Sequence, residues 1–202
     1  DLSSISAVID SNFLSDFLEF QPSGQLKDTK INISDIREPD NRFDISTDFD
    51  DLGLLLSTQK NQEINKLNIE GGSGKFFLNQ TGGRLDLSSQ NSLINSDYYF
   101  DGNLSLNSAE GAIIWRMNEQ GILILSDNIV IKNPFFDIAT SFEISWLEGQ
   151  RTPYADIEGY WNVDDVAQFA KLLPKKTLNP VLYEWAQNAF LSGKITNGSI
   201  RL

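Results

Sequence analysis

The chain has no cysteine and no histidine among its 202 residues. Thiol nucleophiles, Ser-His and Cys-His pairs, disulfides and the common zinc ligand sets are all excluded with them. The lack of cysteine suits a reducing cytosol or an envelope protein that avoids oxidation, so it assigns no compartment. Basic residues are few: 16 Lys and Arg face 28 Asp and Glu, a net charge of −12, and the cations are scattered. Without a basic face nothing can meet a phosphate backbone, and nucleic acid is not an expected partner. No apolar run approaches the roughly 18–20 residues a membrane-spanning helix needs. No signal-peptide pattern is read here, and the opening "DLSSISAV" without Met reads as an internal fragment.

What enzymology remains is carboxylate chemistry. Glycoside hydrolysis needs only two acids at a suitable separation, and Asp50, Asp51, Asp97, Asp101, Asp137, Asp156 and Glu158 offer them with no pair favoured. Two other motifs fall short. "DFDDLG" at 48–53 begins like a calcium loop, but Gln59 stands where the bidentate Glu belongs, so it reads as an acidic turn between strands. "GGSGKF" at 71–76 has Phe76 where a phosphate loop needs Ser or Thr for magnesium, so it reads as a hairpin region. No cofactor and no metal is expected.

What the chain does have is 40% apolar residues in two periodicities. Residues 1–22 carry Ile5, Val8, Ile9, Phe13, Phe17 and Leu18 near helical spacing, ended by Pro22. From 23 to 161 the pattern becomes short alternating runs, among them "RFDIST", "KLNIE", "KFFLN", "RLDLSS", "GILILSDNIVIK" and "FFDIATSFEISW". These are bounded by "EGGSG", "TGG", "DG", "EG", "EQG" and "NP", which signal tight reversals. Residues 162–191 return to helical spacing. Asn162 is the expected N-cap of a first helix that carries Asp164 and Asp165 in its opening turn and stops at Pro174. A second helix follows from Asn179, with Pro180 in its first turn and Val181, Leu182, Trp185, Ala186, Ala189 and Phe190 on one apolar face.

Residues 192–202, "SGKITNGSIRL", echo "SGQLKDTKINI" at 23–33 with three identities, Ser, Gly and Ile, and conservative pairs between. Each follows an amphipathic segment, so 192–202 is read as the start of a next β-unit in an array. The alternation gives each strand one apolar face and leaves two folds open. One is a sandwich that covers itself. The other is a curved sheet whose concave side stays open as a binding surface.

Two segments bear on that choice. "GAIIWRMNEQGILILSDNIVIKNPFF" (111–136) and "LLPKKTLNPVLYEWAQNAFLSGKITNGSIRL" (172–202) resemble the AsmA-like superfamily, in particular its YhdP-type branch. The resemblance implies a mainly β chain: a long curved antiparallel sheet forming a taco-like groove, with short amphipathic helices near both ends. It implies a periplasmic segment of an inner-membrane-anchored protein in a diderm bacterium, conducting glycerophospholipids toward the outer membrane without catalysis. The partners are then acyl chains and, through the full-length protein, both membranes. An assembly scaffold for outer-membrane proteins, acting through its sheet edges, is the alternative. About 15 methylenes at about 0.8 kcal/mol each must be kept from water, so a carrier needs a continuous apolar surface. Strands of five to seven residues would give a sheet roughly 20 Å across. Alternation nominates Phe43, Ile45, Leu85, Leu87, Ile113, Trp115, Phe136, Ile138, Phe142 and Ile144 as its lining, with Trp185 and Phe190 as a rim or plug.

Overall fold

A computed structural model describes residues 21–33, 43–60, 63–96, 103–173 and 178–202. The helix expected over 3–19, the stop at Pro174, and Asp97 and Asp101 lie outside the described residues. The described chain forms one open, curved, nine-stranded antiparallel sheet in sequence order. Its strands are β1 (Ser23–Ile33), β2 (Phe43–Lys60), β3 (Glu63–Asn79), β4 (Gly82–Asn95), β5 (Asn103–Asn118), β6 (Gly121–Asn133), β7 (Phe136–Leu147), β8 (Tyr154–Val163) and β9 (Ile195–Arg201). Two short helices, α1 (Val166–Ala170) and α2 (Pro180–Ala189), interrupt the path from β8 to β9. The self-covering sandwich is thereby overturned: one sheet supplies all nine strands.

The strands are far longer than the alternating runs suggested, up to 18 residues in β2. Straight strands of 13–18 residues would span about 45–60 Å. The difference arises at the glycine- and aspartate-rich punctuation. "TGG", "EQG" and "NP" are true reversals, closing Asn79 on Gly82, Asn118 on Gly121 and Asn133 on Phe136. "EGGSG", "EG" and "DFDDLG" are not: β3, β5 and β2 run straight through them. Neither the acidic turn nor the hairpin read at these places exists. Asp51 (φ 52°) and Gly71 (φ 75°) instead occupy the left-handed region within a strand, beside slips in the pairing register. Asp, Asn and Gly supply positive φ equally to a turn and to a bulge, and only the partner strand distinguishes the two.

The first helix also starts later than its sequence suggested. Asn162 and Val163 belong to β8, where Val163 pairs with Phe136 and is buried at 1% exposure. Burial of that valine against the sheet outweighs helix initiation at Asn162. The cap is Asp165, whose carboxylate accepts hydrogen bonds from the Ala167 and Gln168 amides at 3.0 and 3.1 Å. Asn179 caps α2 as expected, accepting from Val181 N at 2.9 Å, with Pro180 at the first position.

The last segment already has its partner: β9 pairs antiparallel with β8, so the strand after the helices continues the same sheet. Its echo of β1 extends to the backbone. Gly24 and Gly193 take φ of 119° and 124°, and Asp28 and Asn197, matched in the echo, take 52° and 56°. The register slips beside both, in β1 and in β9.

Candidate apolar trough

Antiparallel partners project on the same side of a sheet, so the register traces rows of side chains across it. One row runs Ile31, Ile45, Leu78, Gly83, Trp115, Ile124, Ile144 and Ala155 through eight strands. The next brings Thr47, Phe76, Leu85 and Ile113 together and, beyond the slip in β6, Ser126, Phe142 and Ile157. The central row crosses all nine strands: Leu26, Phe49, Gly74, Leu87, Gly111, Ile129, Thr140, Gly159 and Ile200. On its far side lie Ser89, Ala109, Ile131, Ile138, Trp161 and Gly198. Phe43 pairs with Ile33 at one margin, and Phe136 with Val163 at the other.

All ten residues nominated by alternation therefore stand on one face. Neighbouring strands lie about 4.8 Å apart, so this face extends about 40 Å along the stacking direction. Sequence reasoning missed Phe49, Phe76, Leu78, Ile124 and Trp161, which share it. In "KFFLN" and "GILIL" consecutive apolar residues fit either parity, and only the pairing chooses.

The opposite face carries exposed ion pairs, Lys27–Asp50 at 2.7 Å, Lys75–Asp48 at 3.2 Å, Arg84–Asp86 at 2.6 Å, and Arg201 with both Asp156 (3.3 Å) and Glu158 (2.9 Å), interspersed with apolar residues such as Phe77, Ile114 and Leu125. Of the carboxylates considered for hydrolysis, Asp50, Asp156 and Glu158 are so engaged. The hydrogen bond from Lys27, and then that from Ser73, hold the Asp50 carboxyl below its ordinary 3.8. Its stabilising effect is present above pH 3.8 and is lost as the pH falls through the lowered value. Among the described residues no cluster of acidic side chains is placed to hold a metal, including at "DFDDLG".

The two margins of the apolar face differ. At the margin where β6 turns into β7, α1 folds over the sheet. Phe136, Val163 and Val166 form a buried cluster with Leu104, Ile131, Ile138, Trp161, Phe169 and Ile195 around it. The Phe169 ring meets Phe136 edge-on at 5.7 Å. At the other margin, beside the β5–β6 and β7–β8 turns, the face opens into a depression of about 490 Å³ lined by Ile122, Ile124, Ile144 and Trp146. Here Ile122 and Trp146 are exposed.

Trp185 and Phe190, nominated as rim or plug, sit on and just after α2. They pack edge-on against each other at 5.6 Å, with Trp185 57% exposed. Val181 and Leu182 are exposed beside them, and of the apolar face expected for this helix only Ala186 is buried. The helix that packs on the sheet is α1, through Val166 and Phe169.

Two tryptophans on the face lie over glycines of the neighbouring strand. A Cβ at Gly83 would strike the Trp115 ring, and one at Gly198 would meet Trp161 Cε2 at 2.6 Å. This is the cross-strand pairing in which an aromatic covers the backbone a glycine exposes. Gly83→Val is expected to push Trp115 off the sheet, cost about 1–3 kcal/mol through overpacking, and red-shift tryptophan emission. Unchanged emission with unchanged stability would contradict the pairing.

No helix among the described residues is long and apolar enough to cross a membrane. No curated protein and no solved structure matches the chain. A family model described as "YhdP protein" matches residues 1–202, the whole of this sequence, and the chain belongs to the YhdP family.

Proposed function

We propose that this chain is a segment of a periplasmic conduit that holds glycerophospholipid acyl chains in its apolar trough and passes them between the inner and outer membranes. The family is of lipid-transport type in the cell envelope. The observation that carries the reading further is the concentration of apolar side chains in successive rows on one side of an open sheet, whose other side carries the exposed ion pairs. A water-soluble fold gains nothing from such a surface unless something apolar occupies it. Acyl tails fit because they need length and continuity rather than directed hydrogen bonds, while charged headgroups can stay in solvent. The segment works by binding, and no residue is asked to do chemistry.

Photo-crosslinking in the full-length protein tests this directly. A photoreactive residue at Phe142, facing the trough, should capture phospholipid, whereas one at Glu143, facing the other way, should not. Equal labelling at both positions, or none at Phe142, would sink the conduit reading. A scaffold that assembles outer-membrane proteins would use the exposed edge of β1 instead. It would crosslink to polypeptide along that edge and leave the trough unlabelled.

A further inference from the structure

The trough owes its bend to a band of irregular backbone that crosses the middle of the sheet. Asp28, Asp51, Gly71, Asn91, Gly111 and Asn197 all have positive φ. Traced through the register, each lies within a few residues of the central row through Phe49, Leu87 and Ile129. The pairing slips at the same level on strand after strand: between Lys27 and Lys30, Phe49 and Leu52, Glu70 and Gly74, Gly111 and Ile114, and Ser126 and Ile129. A bulge bends its strand and sharpens its twist. A line of bulges at one level folds a sheet along that line.

The band is held by buried hydroxyls. Ser92 Oγ donates to Gly71 O at 3.2 Å. Ser89 Oγ accepts from Ser73 N at 2.8 Å and donates to Ser73 O at 3.2 Å. Thr47 Oγ1 donates to Lys27 O at 3.2 Å. Ser89, Ser92 and Thr47 are all buried, so these clamps hold backbone groups at the slips, where Gly71 and Ser73 have no partner in the register. The band also preserves the apolar face. On β4 Ser89 and Ser92 are both buried with exposed Gln90 and Asn91 between them, so the shielded side passes from an odd to an even position across Asn91. The ladder to β5 stays in register through this point while the ladder to β3 slips between Glu70 and Gly74, so the switch lies in the backbone at Asn91 itself.

We infer that this crease sets the width of the trough, and that Asn91 with its clamps Ser89 and Ser92 are positioning residues that fix how closely the two walls embrace an acyl chain. The acyl-chain part of this inference rests on the conduit reading above, whereas the crease stands on geometry alone. A β-branched residue resists positive φ and glycine accepts it freely, so substitutions at Asn91 separate the backbone requirement from the loss of a side chain.

The experiment places spin labels at Asn103 and Glu119, near the two ends of β5, in the full-length protein, and measures their separation by dipolar spectroscopy. Asn91→Val should lengthen the distance by several ångströms, on the way to the roughly 50 Å of a straight strand. It should also lower co-purified phospholipid several-fold. Asn91→Gly should match the wild type in both. If Asn91→Val does not fold, the paired change Ser89→Ala with Ser92→Ala, which leaves φ unconstrained, should lengthen the distance instead. A folded Asn91→Val or Ser89→Ala/Ser92→Ala protein with the wild-type distance overturns the crease. A lengthened distance in a protein whose wild type carries no lipid upholds the crease and overturns the conduit.

Discussion

Replacing Ile144 by aspartate should strip the full-length protein of bound lipid while leaving the sheet intact. Ile144 stands in the row between Ile124 and Ala155 and lines the open depression of about 490 Å³. It is only partly shielded, so in the empty protein water can reach a carboxylate placed there and the folding penalty is modest. A tail lying over that carboxylate removes the water. Holding an ionised group against hydrocarbon then costs at least about 3 kcal/mol, or roughly 100-fold in affinity. Lipid per protein, measured by native mass spectrometry or by extraction and thin-layer analysis, should fall at least tenfold in Ile144→Asp and stay unchanged in Glu143→Gln on the polar face. Full lipid occupancy in a folded Ile144→Asp protein would show that tails do not run over this row.

The largest stability effect is expected at Phe136→Ala. Phe136 is 4% exposed, pairs with Val163, and meets Phe135 and Phe169 edge-on at 5.6 and 5.7 Å. Truncating such a ring costs about 3–5 kcal/mol because the neighbours close the cavity only in part. For a chain of this size that corresponds to a fall in Tm on the order of 10 °C. Thermal denaturation followed by circular dichroism would measure it. The same scan on Trp185→Ala should move Tm by much less, since that ring is 57% exposed and packs edge-on against Phe190. If the two variants were reversed, α2 rather than α1 would be the element that closes this margin.

Side-chain direction within a strand and contact between elements differ in how far a local pattern fixes them. Phe43, Ile45, Leu85, Leu87, Ile113, Trp115, Phe136, Ile138, Phe142 and Ile144 were nominated from period-two alternation, and the register sets them all on one face. Alternation reports side-chain direction along a strand, which depends on nothing beyond the strand itself. In α2 helical periodicity found an apolar stripe, but it could not say what the stripe would face. Trp185 is apolar and exposed, while the smaller Phe169 stripe of α1 is the one that reaches the sheet. Contact between elements depends on where the chain turns, and no local pattern carries that.

The punctuation residues show the same division. Asp51 in "DFDDLG", Gly71 in "EGGSG" and Gly111 in "EG" have the composition of reversals, which predicts strands of about half their observed length. The sequence by itself determined that these positions need a backbone beyond the reach of ordinary side chains, that one face of each strand is apolar, and that chemistry using cysteine or histidine is absent. Only the tertiary structure decided that "TGG" turns back while "EGGSG" carries on. A positive φ closes a hairpin when the chain following it becomes the partner, and makes a bulge when the partner is already a neighbouring strand. That choice belongs to the cross-strand ladder, and it is what turns a series of alternating segments into one long sheet folded along a central crease.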